Sequence, residues 1–148
     1  MSSYRPEKTI IADKKLQFGI VVSDFNAYFT SQMLKNAEEA FKDFQANVVK
    51  VVHVPGAFEM PLTAKQLLQK NCDVVLVLGV LIKGNTDHYH YVCDAVNKGI
   101  MEVTIKNNKP VIFGLLTCNT EKQVQERVDK VADLAYAAVI MGNNSLNI

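Results

Sequence analysis

Net charge is nearly absent: 16 lysine and arginine residues stand against 15 aspartate and glutamate, leaving a formal +1 over 148 residues. So even a balance supplies no field to attract nucleic acid or an acidic membrane surface, and any basic function has to be local. Cysteine is scarce. Cys72, Cys93 and Cys118 are widely spaced and match neither a paired disulfide framework nor a metal-ligand cadence, so reduced thiols are expected. Long apolar runs are missing too: no segment approaches the ~20 residues of a membrane helix, and the N-terminal MSSYRPEKTIIADKK has no apolar core of the kind a secretory signal carries. There is no solenoid-period repeat, low-complexity tract or obvious linker. These absences predict a soluble, cytoplasmic protein with one domain over 1–148, an N-terminal extension at 1–15 and a loose tail at 142–148. The length suffices to bury a core without disulfides or metals.

What is present alternates. LQFGIVV (16–22) is short, β-branched and closed by SDFN, which predicts a strand running into a polar turn. In TSQMLKNAEEAFKDF (30–44), Met33, Leu34, Ala37, Phe41 and Phe44 recur at three- and four-residue spacing, which predicts an amphipathic helix with Thr30 as N-cap. VVKVVHV (48–54) is a second strand stopped by Pro55 and Gly56, and EMPLTAKQLLQK (59–70) a second helix with Pro61 in its first turn. DVVLVLGVLI (73–82) is the most continuously apolar run and reads as a central strand covered on both faces. A helix from His88 to about Lys106, a strand at 110–116 and one or two helices over 120–141 follow. Such alternation predicts βαβ units with right-handed crossovers, a parallel sheet and a three-layer α/β/α sandwich.

Ligands of such folds bind beyond the carboxyl ends of the strands, near the point where strand order reverses. Four turns should gather there: SDFN, PGAFE, KGNTDH and TCNT. In KGNTDH, Gly84 lets backbone approach a ligand, Asn85 and Thr86 offer hydrogen bonds, and the next helix presents free N–H groups at its positive end. The turn has neither the Walker lysine spacing nor the dinucleotide glycine fingerprint, so on pattern alone a phosphate site and a ligand-free capped turn fit it equally. His88 falls in the first turn of that helix, where the dipole disfavours the imidazolium; an acid or base fits, and so does a surface or capping histidine. His90 is two residues away and points elsewhere on a helix, which argues against a shared metal. His53, inside the second strand, reads as packed or at an edge. Phe25 and Phe58, at neighbouring strand ends beside Asn26 and Glu59, suit a flat hydroxylated ring as well as a core. Arg127 is an anion fork or an exposed helical arginine.

Taken together and in order, SDFN, VPGAFEMPLTAK, LGVLIKGNTDHYHYV, KPVIFGLLTCNT and QERV resemble the lumazine synthase family from about Leu16 to Met141. The resemblance implies a flavodoxin-like α/β fold with a four-stranded parallel sheet, assembled into homopentamers whose active sites lie between neighbouring subunits. Some members close twelve pentamers into a hollow shell. It implies condensation of 5-amino-6-(D-ribitylamino)uracil with 3,4-dihydroxy-2-butanone 4-phosphate to 6,7-dimethyl-8-ribityllumazine, phosphate and water, a transferase step of riboflavin biosynthesis that needs no metal or redox cofactor. By the same resemblance Phe25 stacks on the pyrimidine, and Ala57, Phe58 and Glu59 receive the ribityl chain. Val80, Leu81 and Ile82 meet the uracil edge through their backbone, and Asn85 and Thr86 hold the phosphate. His88 moves protons, Phe113 comes from a neighbouring subunit, and Arg127 pairs with the phosphate.

The sequence departs from that family pattern in three places. Asp24 stands where members commonly carry arginine, His90 replaces a more usual acidic residue, and the Gly- and Lys-rich loop after Arg127 is shortened, which leaves Lys130 and Asp133 as stand-ins for a phosphate-side lysine and a residue orienting His88. Two rival readings remain at this level: an archaeal-type riboflavin synthase acting on two lumazines, and a flavin-binding or shell protein without activity. The phosphate turn disfavours the first, and the presence of His88 and Arg127 the second.

Overall fold

The computed structural model describes residues 10–148; residues 1–9, which hold most of the expected N-terminal extension, lie outside the described residues. The elements run β1 (Gln17–Ser23), α1 (Ala27–Asp43), β2 (Asn47–Val54), a 3-10 turn (Ala57–Glu59), α2 (Met60–Lys70), β3 (Val74–Ile82), α3 (His88–Asn107), β4 (Val111–Cys118), α4 (Glu121–Gln125), a second 3-10 turn (Val128–Lys130) and α5 (Val131–Ser145). All strand pairs are parallel and the order is β2-β1-β3-β4, so the direction of winding switches between β1 and β3. This is the expected α/β sandwich in three layers with a flavodoxin-like sheet.

β3 shows why an unbroken apolar run means a central strand. Val74, Leu76, Leu78 and Val80 pack with Met33, Ala37 and Phe41 of α1 and with Ala135, Ala138 and Val139 of α5. Val75 and Val77 face the other way, onto Met60, Ala64 and Leu67 of α2 and Val96 and Ile100 of α3. Both faces are dry, so alternation vanishes. Each fully buried aliphatic side chain there contributes about 1.5–3 kcal/mol. The sheet also packs closely at its last pair: a Cβ on Gly114 of β4 lies 2.4 Å from the Val77 carbonyl oxygen.

Three expectations about element bounds are corrected. α1 starts at Ala27, and Thr30 lies inside it, buried, instead of capping it. The cap is Asn26, in left-handed backbone at φ 62°, whose carbonyl accepts the amides of Phe29 and Thr30. β4 continues past Leu116 to Cys118, because Thr117 and Cys118 stay in register with Leu81 and Ile82. The tail is not loose from 142 on: α5 keeps helical geometry to Ser145. Gly142 is buried so close to the sheet that a Cβ sits 2.9 Å from Leu16 Cδ1, and Asn143 accepts the Asp13 amide at 2.9 Å and donates to the Ile11 carbonyl at 3.1 Å. Among the described residues no helix is long and apolar enough to cross a membrane, and all three cysteines are free thiols.

Candidate active site

The carboxyl ends of β1, β2 and β3 form a crest, and hydrogen bonds join their turns. The Asp24 amide donates to the Val54 carbonyl at 2.8 Å and the Phe25 amide to the Pro55 carbonyl at 3.0 Å. On the other side, Asn26 Nδ2 donates to the Val80 carbonyl at 2.9 Å, which explains why the Asn26 side chain makes no cap bond to its own helix. The β1–α1 turn therefore bridges the ends of β2 and β3. Its free product is the Phe25 ring, 66% exposed.

Beyond β2, the chain turns tightly: a Glu59 carboxylate oxygen accepts the Gly56 amide at 3.1 Å while the Glu59 amide donates to the Gly56 carbonyl at 3.2 Å. This buries Ala57 and turns Phe58 outward, 63% exposed, so two aromatic faces stand on the crest. Beyond β3, Leu81 and Ile82 are half-buried, and the Lys83 amide continues the pairing to the Cys118 carbonyl at 2.9 Å. Residues 83–88 are exposed. A Cβ on Gly84 meets no atom within 4 Å, so neither crowding nor left-handed backbone requires a glycine there. The space above it is open.

His88 is the first residue of α3; its amide approaches the Thr86 hydroxyl at 3.4 Å, and the Asp87 carbonyl takes the amides of His90 and Tyr91. A 20-residue helix directs its positive end at this turn. Tyr89, which sequence reading passed over, fixes that first turn to β4: its phenol is hydrogen-bonded to the side chains of Thr117 and Cys93. Burial pushes the phenol up, with the Thr117 bond opposing. Its signal was only its position, next to His88.

Arg127 projects past the end of β4. Its Nη1 donates to the Gln123 carbonyl at 2.8 Å, Glu126 lies 3.9 Å away, and its charge opposes the upward push that burial exerts on the Cys118 thiol. The stretch after Arg127 is a single 3-10 turn ending at exposed Lys130, and exposed Asp133 lies in the first turn of α5. Phe113 is not part of this crest. It pairs in register with Val77, five residues, or ~16 Å, before the end of β4. His53 is exposed on the edge strand β2, and its Nδ1 lies 3.0 Å from Asp24 Oδ1.

An open crest with two outward rings, backbone carbonyls, and a helix start carrying an imidazole can hold a flat polar ring beside an anion and move protons between them. Residues 15–145 match the family model described as 6,7-dimethyl-8-ribityllumazine synthase. The chain is also 46% identical over 112 residues, 75% of its own length and 74% of the relative's, to the 6,7-dimethyl-8-ribityllumazine synthase of Limosilactobacillus reuteri (strain DSM 20016).

Proposed function

The chain belongs to the 6,7-dimethyl-8-ribityllumazine synthase family, and from that premise we propose how its residues divide the reaction. The enzyme is a transferase of riboflavin biosynthesis that condenses 5-amino-6-(D-ribitylamino)uracil with 3,4-dihydroxy-2-butanone 4-phosphate to 6,7-dimethyl-8-ribityllumazine, phosphate and water. Its partners in the reaction are small molecules. Phe25 stacks on the pyrimidine; Ala57, Phe58 and Glu59 receive the ribityl chain; Val80, Leu81 and Ile82 present backbone to the uracil edge. The phosphate sits over Gly84 against Asn85 and Thr86, with Arg127 pairing from the far side and Lys130 as a second cation.

The pyrimidine amine attacks the ketone and an imine forms with loss of water. Elimination of phosphate leaves an enol that tautomerises to a ketone, and the second nitrogen attacks that ketone and closes the ring with loss of a second water. Each step moves a proton, and His88, exposed at the start of α3, takes and returns them. Asp133 is assigned the role of orienting it. Holding two reactants in register supplies much of the rate.

The observation that carries this reading is the unfilled space above Gly84 at the start of a long helix, beside an exposed imidazole. The crest lies open, and Phe113 sits too far down β4 to meet its own chain's His88. That supports a homopentamer, or an assembly of pentamers, in which Phe113 completes the site of the next subunit in the cytoplasm. The test is direct. Purified protein mixed with both substrates should develop lumazine fluorescence with one phosphate released per lumazine, whereas lumazine supplied alone should give no riboflavin. Fluorescence without phosphate, or riboflavin from lumazine, would overturn the reading.

A further inference from the structure

Asp24 and His53 are 29 residues apart in sequence, yet parallel pairing of β1 and β2 makes them neighbours: Val22 is in register with His53 and Ser23 with Val54. The last backbone bonds of this ladder run from Asp24 to Val54 and from Phe25 to Pro55. Nothing in the ladder continues beyond Phe25. β2 is the edge strand, so among the described residues no further strand pairs with its outer side. The Phe25 turn, by contrast, is tied to β3 through Asn26 Nδ2 and the Val80 carbonyl, with Asn26 in left-handed backbone. The carboxylate of Asp24 turns away from β3, toward His53 Nδ1 at 3.0 Å, in a groove along α1 and β2 that Ser31, Lys35 and Glu38 also line.

We propose that the Asp24–His53 hydrogen bond is a positioning device for the pyrimidine half of the site: it ties the turn bearing Phe25 to the turn bearing Phe58 and Glu59, and so sets the spacing of the two rings. The inference rests on the assignment of Phe25 and Phe58 to the ribitylaminouracil. It gives Asp24 a role in this chain at a position where the sequence shows no arginine. Neither residue touches the reactants; both act through the turns they join. The pair itself joins only the β1 and β2 ends and makes no contact with the phosphate turn after β3.

The test compares Asp24→Ala, His53→Ala, the double variant and His53→Asn, whose amide can still donate to the carboxylate. Both side chains are more than half exposed, at 56% and 65%, so an effect of modest size is expected. Each alanine variant should raise KM for ribitylaminouracil roughly threefold, as an exposed pair allows, with kcat and KM for the butanone phosphate unchanged. The double variant should be no worse than either single one, and His53→Asn should restore the KM. Unchanged KM in both single variants, effects that multiply in the double variant, or equal shifts for both substrates would overturn the proposal. Phe25→Ala separates this from the underlying assignment: if that variant binds the pyrimidine normally, the site reading fails, whatever the pair does.

Discussion

His88 opens α3, where unpaired amides and the positive helix end share space with an imidazole free to face a ligand. If orientation carries much of the rate, His88→Ala should lower kcat by about 100-fold and leave measurable turnover, the lower end of what a positioned acid or base contributes. Total loss of activity in a folded variant that still binds both substrates would contradict that division. Gly84 makes a sharper case because its own chain does not need it. Gly84→Ala should leave the melting temperature unchanged and raise KM for the butanone phosphate about tenfold, a cost of about 1.4 kcal/mol; an unchanged KM would remove the phosphate from this turn. The thiols predict a pH response. Burial is the first cause that raises the pKa of Cys72, Cys93 and Cys118 above the ordinary value of 9.0. The folded state thus keeps protons that the unfolded chain gives up, so this contribution is complete below the ordinary thiol range and is lost as pH rises through the raised values. Urea unfolding followed from neutral to alkaline pH should show stability falling, with a shallower fall in Cys72→Ala.

At the scale of elements, the sheet was legible where burial is two-sided and the turns were legible where local chemistry decides. β3 announced itself as a continuous apolar run, and Pro61 sits in the first turn of α2 as its φ preference demands. The misreadings share one cause, which is a partner distant in sequence. Asn26 begins α1 a turn early because the Val80 carbonyl, 54 residues away, holds its amide. Asn143 keeps α5 helical toward its end through Asp13 and Ile11, 130 and 132 residues away. Nothing local to either asparagine encodes those bonds. Asn26→Ala loses the Val80 bond and places a Cβ residue in left-handed backbone, at a cost of about 2 kcal/mol read from the urea midpoint. Asn26→Gly keeps the backbone freedom and should lose about half as much. Gly114→Ala should destabilise by ~3 kcal/mol, since a Cβ there meets a backbone carbonyl that cannot step aside without parting β3 from β4.

For the whole molecule, the candidate site was readable as a set of turns because parallel winding sends every strand's carboxyl end to one crest. The Asp24–His53 pair escaped because strand pairing, not sequence spacing, brings the two together, and the Tyr89–Thr117 contact because it needs α3 packed beside β4. Phe113 marks where one chain stops being enough. With that ring mid-strand and Phe25, Phe58 and Tyr91 exposed, the account expects sedimentation as five chains or a multiple of five. A monomer that turns over both substrates would contradict shared sites. The central claim is the phosphate over the β3–α3 turn with His88 beside the reacting carbons. A crystal structure with an unreactive phosphonate analogue of the butanone phosphate tests it most directly. The account predicts phosphonate oxygens within hydrogen-bond reach of the amides of residues 84–87 and of the Thr86 hydroxyl, with the His88 ring facing the ligand. A phosphonate bound elsewhere, or an imidazole turned away from it, would contradict the account.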